Sequence, residues 1–208
     1  MVVVSGSNAQ HVAEQLAQSL GWSHVKLEAR RFPDSEGYIR IPEDEIQAIR
    51  SEPVVVVSNT FPDAGIVETM LILKAVSDVR KGSMENLRGI EPQKMEDIGP
   101  GVYLAVPYFG YSRQDKRFKP GEVISARAIA DMLAGQCDGL AVLDLHAPKV
   151  LENLSVPVAF TSAMPELASH LQSEVNPDFI LSPDKGAIDR ASEVCLLYTS
   201  PSPRDVRS

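Results

Sequence analysis

The chain has 208 residues, a formal net charge of -8, 44% hydrophobic residues and 23% charged residues, which is ordinary for a globular protein. The acidic balance provides no electrostatic footprint for nucleic acid or for an anionic membrane surface, and no apolar run approaches the roughly 18 residues of a membrane span. Met1–Ser5 lacks the features of a signal peptide, and Cys137 and Cys195 form neither a disulfide framework nor a metal motif, so we expect a cytoplasmic protein with no nucleic-acid or membrane partner.

The first thirty residues have the pattern of a βαβ unit. Val2–Ser5 predicts a short buried strand, and the turn that follows holds Asn8 as a candidate N-cap of the next helix. The apolar residues of that helix recur at helical spacing: Val12, Leu16 and Leu20. A second strand at 25–27 completes the unit, which favours a parallel sheet. The turn Gly6–Asn8 could bind an anion, but a plain connection is the better supported interpretation.

The remaining chain alternates between apolar runs and helical patterns. Strands are predicted at 38–41, 53–57, 101–106, 139–144, 156–160 and 178–182. Helices are predicted at about 64–79, 123–133 and 163–171. Residues 81–100 combine glycines, prolines and mixed charges, and we interpret them as a surface insertion. The predicted fold class is therefore α/β, with parallel sheets flanked by helices.

A cluster of cations follows the predicted strand at 101–106. Arg113, Lys116, Arg117 and Lys119 stand against Asp115, a balance of +3 in seven residues of an acidic chain. Open α/β sheets bind ligands at the carboxyl ends of their strands, and Arg and Lys suit a polyphosphate. A solvated charged loop is the alternative. The neighbouring aromatic residues need a surface to pack on, which favours a ligand: Tyr108, Phe109 and Tyr111.

The run Pro107-Tyr-Phe-Gly-Tyr-Ser-Arg-Gln-Asp-Lys-Arg117 resembles the ATP-binding loop of ribose-phosphate pyrophosphokinases. Its continuation, Phe118-Lys-Pro-Gly-Glu122, is most similar to archaeal members of that family. The resemblance implies a phosphoribosyltransferase-like domain in which four residues of this loop bind ATP: Arg113, Gln114, Lys116 and Arg117.

A second segment, Phe32-Pro-Asp-Ser-Glu36, is by itself most simply a surface turn that enters a hairpin. It is similar to the family's Phe-x-Asp-Gly-Glu segment, which implies that Phe32 packs on adenine and that Asp34 and Glu36 hold polar atoms of ATP. In the family this segment reaches ATP bound by a neighbouring subunit, which implies a homo-oligomer with a shared ATP site. Ser35 replaces the family's glycine and would cost strain if the turn needs a positive φ.

Two further segments resemble metal-binding motifs of the family. Asp144-Leu-His-Ala147 matches a motif whose histidine helps to bind Mg²⁺, which implies that role for His146 with Asp144 as its support. Ser182-Pro-Asp-Lys-Gly186 matches a turn whose aspartate is associated with Mg²⁺ and substrate, which implies that role for Asp184. Without the resemblance, these would be a structural histidine and an ordinary turn.

The resemblance also suggests the domain organisation. We expect an N-terminal ATP-loop domain at 1–146, the start of a second, incomplete copy at 147–194, and a non-native tail at 195–208 without helical periodicity. The family's catalytic lysine and its Asp-Asp-x-x-x-Thr-Gly-Gly-Thr loop do not occur in these residues. The resemblance therefore implies a C-terminally truncated member of the family, which we expect to be inactive alone.

The reaction that the resemblance implies is transfer of the diphosphoryl group of ATP to the C1 hydroxyl of ribose 5-phosphate, giving phosphoribosyl diphosphate and AMP, with Mg²⁺ as cofactor. Two alternatives stay open. A non-catalytic associated subunit of the same family would share the fold and regulate the enzyme by co-assembly. A phosphoribosyltransferase would share the fold but would not need the cationic ATP loop, so it ranks last.

Overall fold

A six-stranded sheet with flanking helices forms the centre of the computed structural model, which describes residues 1–80, 100–182 and 187–198. The strands are, in chain order, β1 (Val2–Ser5), β2 (Ser23–Lys26), β3 (Glu28–Arg31), β4 (Gly37–Arg40), β5 (Val54–Val57), β6 (Val102–Val106), β7 (Gly139–Leu143) and β8 (Val158–Thr161). The main sheet has the order β2-β1-β5-β6-β7-β8, and its neighbours from β2 to β7 pair in parallel. The predicted α/β class is confirmed.

The helices that cover this sheet are α1 (Gln10–Leu20), α2 (Ile46–Ser51), α3 (Asp63–Arg80) and α4 (Ser125–Ala134). Helix α3 buries the apolar face that its spacing predicted, with Ile66, Leu73 and Val76 almost fully excluded from solvent. These side chains pack against the inner strands, where valines and leucines are buried on both faces of the sheet. Each fully buried aliphatic side chain contributes about 1.5–3 kcal/mol to folding, so α3 is firmly held.

Helix α1 buries only part of the face that the sequence predicted: Leu16 is partly buried and packs against the core, but its two predicted neighbours do not. Val12 and Leu20 are 42% and 47% exposed, whereas an alanine stripe faces the sheet: Ala9, Ala13 and Ala17. Small side chains at spacing i, i+4 let the helix axis lie close to the sheet, and that packing outweighs the burial of the larger residues on the other side. The predicted N-cap is also wrong, since Ala9 holds that position and Asn8 bonds elsewhere.

The strands β3 and β4 form a separate antiparallel hairpin, with Ala29 opposite Ile39. Ile39 packs against the core of the main sheet, and β4 lies along α3. The hairpin therefore holds its turn, residues 32–36, near the start of α3. This agrees with the hairpin that the alternating residues at 38–41 predicted.

Two compact units divide the described chain, Met1–Phe160 and Thr161–Ser208. The division falls after Phe160 rather than after the residue 146 that the sequence suggested. The physical reason is that β8 joins the main sheet beside β7, and Leu151 is buried in the core of that sheet. No helix in the described ranges is both long and apolar enough to cross a membrane.

The second unit contains α5 (Met164–His170), a π turn at Leu171–Val175 and α6 (Ile188–Tyr198). The strand predicted at 178–182 is absent, and Phe179 and Leu181 are each 90% exposed. A strand needs a hydrogen-bonding partner, and the described residues offer none here. Helix α6 continues through Cys195 to Tyr198, so the predicted loss of helix from 195 is wrong for those four residues. Asp184 and residues 199–208 lie outside the described ranges.

Candidate functional site

Four loops leave the carboxyl ends of neighbouring strands and meet at one edge of the main sheet. They follow β1, β5, β6 and β7, which are adjacent in the strand order. The chain adds β2 on one side of β1 and β5 on the other, so the topological switch lies between β1 and β5. Ligands of open α/β sheets bind outside the carboxyl ends at such a switch. This edge is the candidate site.

Side-chain amides connect three of these loops. The Asn8 side chain accepts a hydrogen bond from the Asn59 backbone N–H at 3.0 Å and donates one to the Asn59 carbonyl at 3.1 Å. The Asn59 side chain accepts one from the Tyr108 N–H at 2.9 Å. The loops after β1, β5 and β6 are thus held together without a ligand, and the edge of the sheet is pre-organised.

The turn after β1 has its donors occupied from within the chain. One Glu68 carboxylate oxygen accepts from the Ser7 N–H and the other from the Ser7 hydroxyl, each at 2.6 Å. Gly6 makes room for this contact, because a Cβ there would lie 2.2 Å from a Glu68 oxygen. A carboxylate of the protein fills the place that an anion would take, which supports the plain connection over an anion-binding turn.

The loop after β6 begins with a short segment, Tyr108–Tyr111, which we call the loop root. Gly110 N–H donates to the Thr60 hydroxyl oxygen at 2.7 Å, and the Tyr111 hydroxyl donates to the Asp63 carboxylate at 2.7 Å. Thr60 lies in the connection from β5 to α3, and Asp63 is the first residue of α3. The loop root is therefore fixed to a second, neighbouring loop.

The aromatic residues of the loop root pack on the protein itself. Phe109 is only 3% exposed, and the Tyr108 ring meets the Phe61 ring edge-on at 5.8 Å. The need for a packing surface, which favoured a ligand on sequence grounds, is thus met within the protein for Phe109 and only partly for Tyr108, which is 53% exposed. The hydrogen bond to Asp63, together with its negative charge, raises the pKa of Tyr111, so its phenol stays protonated and continues to donate.

Beyond the loop root, the chain turns back through the cationic loop, defined as Arg113–Lys119. The Glu122 carboxylate closes it by accepting from the Phe118 N–H at 2.6 Å and the Lys119 N–H at 3.1 Å. The Arg117 Nε–H donates to the Glu122 carbonyl at 2.8 Å. The Gln114 side chain donates to the Val123 carbonyl at 3.4 Å, so the loop is closed by its own polar groups.

The charges of the cationic loop are open to solvent. Arg113, Lys116 and Arg117 are exposed, and Gln114 is partly buried. Within the described ranges, no carboxylate oxygen lies within 4.0 Å of the charged nitrogens of these three cations. The Lys116 ammonium stands over the Phe118 ring at 5.2 Å. Exposed cations without ionic partners in the described ranges thus give this edge of the sheet a concentration of positive charge.

The turn of the hairpin carries the other predicted nucleotide residues. Phe32 is 39% exposed, and Asp34 and Glu36 are exposed. Asp34 accepts a hydrogen bond from the Glu36 N–H at 3.1 Å, which orients both residues in the turn. Ser35 has φ 76°, so the position does require the left-handed conformation for which glycine is best suited.

The Arg30 guanidinium lies over two rings of the hairpin, Phe32 and Tyr38, which meet edge-on with their centres 5.7 Å apart. Its guanidinium carbon lies 4.9 Å from the centre of the Phe32 ring and 4.1 Å from that of Tyr38. A cavity of about 200 Å³ opens beside Arg30. Residues of the hairpin line it on one side, and Ser7 of the turn after β1 and Glu68 of α3 line it on the other. In the described part of the chain, no hydrogen bond, ion pair or ring contact joins the hairpin turn to the cationic loop.

His146 lies on the loop after β7, beside the strand that leads into the cationic loop. Its side chain is exposed, while Asp144 is partly buried and has φ 46°. No group of three or more metal-ligating side chains occurs in the described ranges, which do not include Asp184. Asp144 offers a carboxylate oxygen, the donor type that Mg²⁺ prefers, and His146 offers an imidazole nitrogen.

Several residues of this edge were not found by sequence reasoning. Asn59, Thr60 and Asp63 hold the loop root, and Glu68 fills the turn after β1. The available signal was the cluster of polar residues directly after the apolar run at 53–57, a position where α/β folds place ligand loops. Asp63 also looks like an ordinary acidic residue in the first turn of a helix, which hides its role.

The chain matches a family model described as the N-terminal domain of ribose phosphate pyrophosphokinase over residues 1–136. It is 32% identical over 197 residues to a ribose-phosphate pyrophosphokinase of Sulfurisphaera tokodaii and 35% identical over 196 residues to one of Methanothermobacter thermautotrophicus. Each alignment covers 93% of this chain and 60% of the relative, so the chain spans about 60% of the length of these curated relatives.

A solved structure, the phosphoribosylpyrophosphate synthetase of Mycobacterium smegmatis, superposes with a TM-score of 0.69 at 22% sequence identity. It covers 93% of this chain, and the match spans 60% of the solved chain. This likeness supports the fold that the strand order and pairing describe.

Proposed function

Because this chain belongs to the ribose-phosphate pyrophosphokinase family, we propose that it binds ATP with the cationic loop at the carboxyl edge of its main sheet. The observation that carries this proposal is the set of exposed cations without ionic partners in the described residues: Arg113, Lys116 and Arg117. The triphosphate of ATP carries about four negative charges and would neutralise these cations. A solvated surface loop with no ligand gives no reason for several unpaired cations to lie together at this edge of the sheet.

The residues of the cationic loop would have different roles in binding ATP, according to the chemistry of their side chains. The Arg113 guanidinium presents a planar fork that matches two phosphate oxygens, and the Gln114 amide donates to a third polar atom. Lys116 and Arg117 add positive charge where negative charge develops on the transferred group. The polar contacts that close the loop on Glu122 keep these donors on one short segment.

The hairpin turn would bind the base end of the nucleotide. Phe32 offers a partly exposed ring for adenine, and Asp34 and Glu36 offer acceptors for amino and hydroxyl groups. No described contact joins this turn to the cationic loop of its own chain. That arrangement suits a homo-oligomer in which the hairpin of one subunit meets the cationic loop of another.

A divalent cation, Mg²⁺, fits the loop after β7. His146 would hold it on the side of the cationic loop, with Asp144 supporting the imidazole and with Asp184, outside the described ranges, as the second candidate ligand. When bound, the cation neutralises phosphate charge and orients phosphate oxygens. The residues of the chain keep their own tasks, which are to bind the triphosphate, to hold the base and to exclude water around the reacting phosphate.

The reaction we propose for the whole protein is diphosphoryl transfer in the cytoplasm. The C1 oxygen of ribose 5-phosphate bonds to the β-phosphorus of ATP, the bond between that phosphorus and the oxygen bridging to the α-phosphorus breaks, and AMP leaves while the hydroxyl proton passes to solvent or a base. Such transfers depend mainly on positioning and on charge neutralisation, which is what a cationic loop on a rigid sheet edge supplies.

Arg113→Ala tests the proposal. We expect the affinity of the 208-residue chain for MgATP, measured by isothermal titration calorimetry, to fall at least about tenfold, because a charge-assisted hydrogen bond to phosphate contributes about 1.5–3 kcal/mol. The affinity of Arg113→Lys should lie between those of Arg113→Ala and the unaltered chain, since lysine keeps the charge and loses the planar fork.

The control is Lys74→Ala, which removes one positive charge from the exposed surface of α3. It should leave the affinity within about twofold, as exposed charges more than a Debye length of about 8 Å apart interact weakly. Equal affinities for Arg113→Ala and the unaltered chain, with an unchanged circular dichroism spectrum, would remove Arg113 from the site.

A further inference from the structure

A side-chain hydrogen bond from Tyr111 to Asp63 lies where the chain leaves the loop root. Tyr111 has φ 64°, the left-handed region that a tyrosine adopts only when its surroundings hold it there. Its carbonyl accepts from the Gln114 N–H at 3.0 Å, and its hydroxyl donates to the Asp63 carboxylate at 2.7 Å. Arg113 follows two residues later, so the conformation at Tyr111 decides where that guanidinium is presented.

Asp63 is well placed to act as a fixed point. It is the first residue of α3, and the next turns of that helix bury Ile66, Ile72 and Leu73 in the core. A phenol that bonds a carboxylate at 2.7 Å forms a charge-assisted hydrogen bond, which is stronger than one between neutral groups. The position of the rigid helix is thereby transmitted to the start of the cationic loop.

The negative charge of Asp63 acts both on an anion bound by the cationic loop and on the helix that carries it. A carboxylate beside a loop that binds an anion repels that anion, whereas the first turn of a helix favours a carboxylate, so the charge of Asp63 has one cost and one local benefit. Within the described residues, the contact that this carboxylate makes across the edge is the one with Tyr111. An acidic residue here therefore combines a favourable place in the first turn of α3 with a strong hydrogen bond to the loop root.

We propose that Asp63 is a positioning residue: through the Tyr111 hydroxyl it fixes the cationic loop in the orientation that binds polyphosphate. The inference rests on the proposed function of that loop and adds a residue that does not itself touch the ligand. Two substitutions separate the hydrogen-bond acceptor of the carboxylate from its negative charge. Asp63→Asn keeps an acceptor and removes the charge, and Asp63→Ala removes both.

The test measures MgATP affinity by calorimetry on the 208-residue chain. We expect Asp63→Ala and Tyr111→Phe each to weaken binding about three- to tenfold, the range that loss of one hydrogen bond gives. The double variant should bind no more weakly than either single variant, because both remove the same contact. Asp63→Asn should bind more tightly than Asp63→Ala, since a neutral acceptor remains although the charge assistance of the hydrogen bond is lost.

The matched control is Tyr108→Phe, which removes a phenol hydroxyl from the same loop root. No described hydrogen bond involves the Tyr108 hydroxyl, and the ring packing on Phe61 is kept. Its affinity should stay within about twofold of the unaltered chain. Amide hydrogen exchange of residues 107–119 should quicken in Asp63→Ala and Tyr111→Phe and stay unchanged in Tyr108→Phe.

The possible failures are distinct. Unchanged or tighter binding by Asp63→Ala, together with weaker binding by Arg113→Ala, would overturn the positioning role and leave the proposed function in place. Weakening by Asp63→Ala in the Tyr111→Phe background as large as in the unaltered chain would show that Asp63 acts other than through the Tyr111 hydroxyl, and would also overturn the positioning role. Absence of MgATP binding by the unaltered chain would overturn both.

Discussion

Ser35 adopts a backbone conformation that its side chain disfavours. The φ of 76° is held by hydrogen bonds within the turn: the Ser35 N–H donates to the Phe32 carbonyl at 2.9 Å, and the Arg31 guanidinium donates to the Ser35 carbonyl at 2.8 Å. A left-handed conformation costs a non-glycine residue about 1–2 kcal/mol. The turn that would carry the proposed base contact therefore stores strain at one residue.

Ser35→Gly is expected to raise the free energy of unfolding by about 0.5–1 kcal/mol, because relief of this strain exceeds the added freedom of glycine in the unfolded chain. Denaturant titration followed by circular dichroism measures it. The same substitution at Ser77, inside α3, should lower stability by about 0.5 kcal/mol. An equal loss at both positions would show that the turn does not strain Ser35.

The two loops that carry the candidate site behave as one element. The loop root lies so close to the connection before α3 that a Cβ on Gly110 would be 2.3 Å from the Thr60 carbonyl oxygen. Hydrogen bonds from Gly110 and Tyr111 then join the root to Thr60 and Asp63. The backbone of the loop root and the backbone at Thr60 are therefore too close for either loop to shift toward the other. The position of the cationic loop depends on this close approach.

Gly110→Ala should destabilise the chain by about 1–3 kcal/mol, the usual cost of forcing extra atoms into a packed region. Gly135→Ala is the matched control, since its Cβ would meet its nearest atom at 3.6 Å and its φ is -69°. That variant should be neutral or gain about 0.4–1 kcal/mol. Thermal unfolding compares the two, and similar melting temperatures would contradict the close packing of the loops.

At the scale of the whole molecule, the larger unit is completed by residues beyond 146. Leu151 is 2% exposed in the core of the main sheet, and three following side chains pack against that core: Leu154, Val156 and Val158. The strand β8 closes the sheet beside β7. Folding of the candidate site therefore draws on a segment that the sequence assigned to the next domain.

A chain of residues 1–162 is expected to unfold in one cooperative thermal transition, whereas a chain of residues 1–146 should melt at a much lower temperature or show no transition. Each buried aliphatic side chain that the shorter chain lacks contributes about 1.5–3 kcal/mol, against a total stability of about 5–15 kcal/mol for a typical domain. Circular dichroism at rising temperature distinguishes them. Equal melting temperatures would place the boundary at 146 after all.

The sequence predicted the strands of the main sheet well, because continuous apolar runs such as the one at 53–57 are local signals of buried parallel strands. The buried face of α1 could not be predicted in the same way. Alanine and valine are both apolar, and only the distance between helix and sheet decides that Ala13 is buried and Val12 is exposed. The strand expected at 178–182 lacked a partner strand, which local hydrophobicity cannot reveal.

The sequence by itself determined the fold class, the family motifs and the density of positive charge on the cationic loop, since each is carried by residues close together in the chain. Only the tertiary structure decided how that loop is held. Asn8 meets Asn59 across 51 positions, and Tyr111 meets Asp63 across 48. A contact over such a separation depends on the parallel pairing that brings β1, β5 and β6 side by side, and no local pattern of residues encodes that geometry.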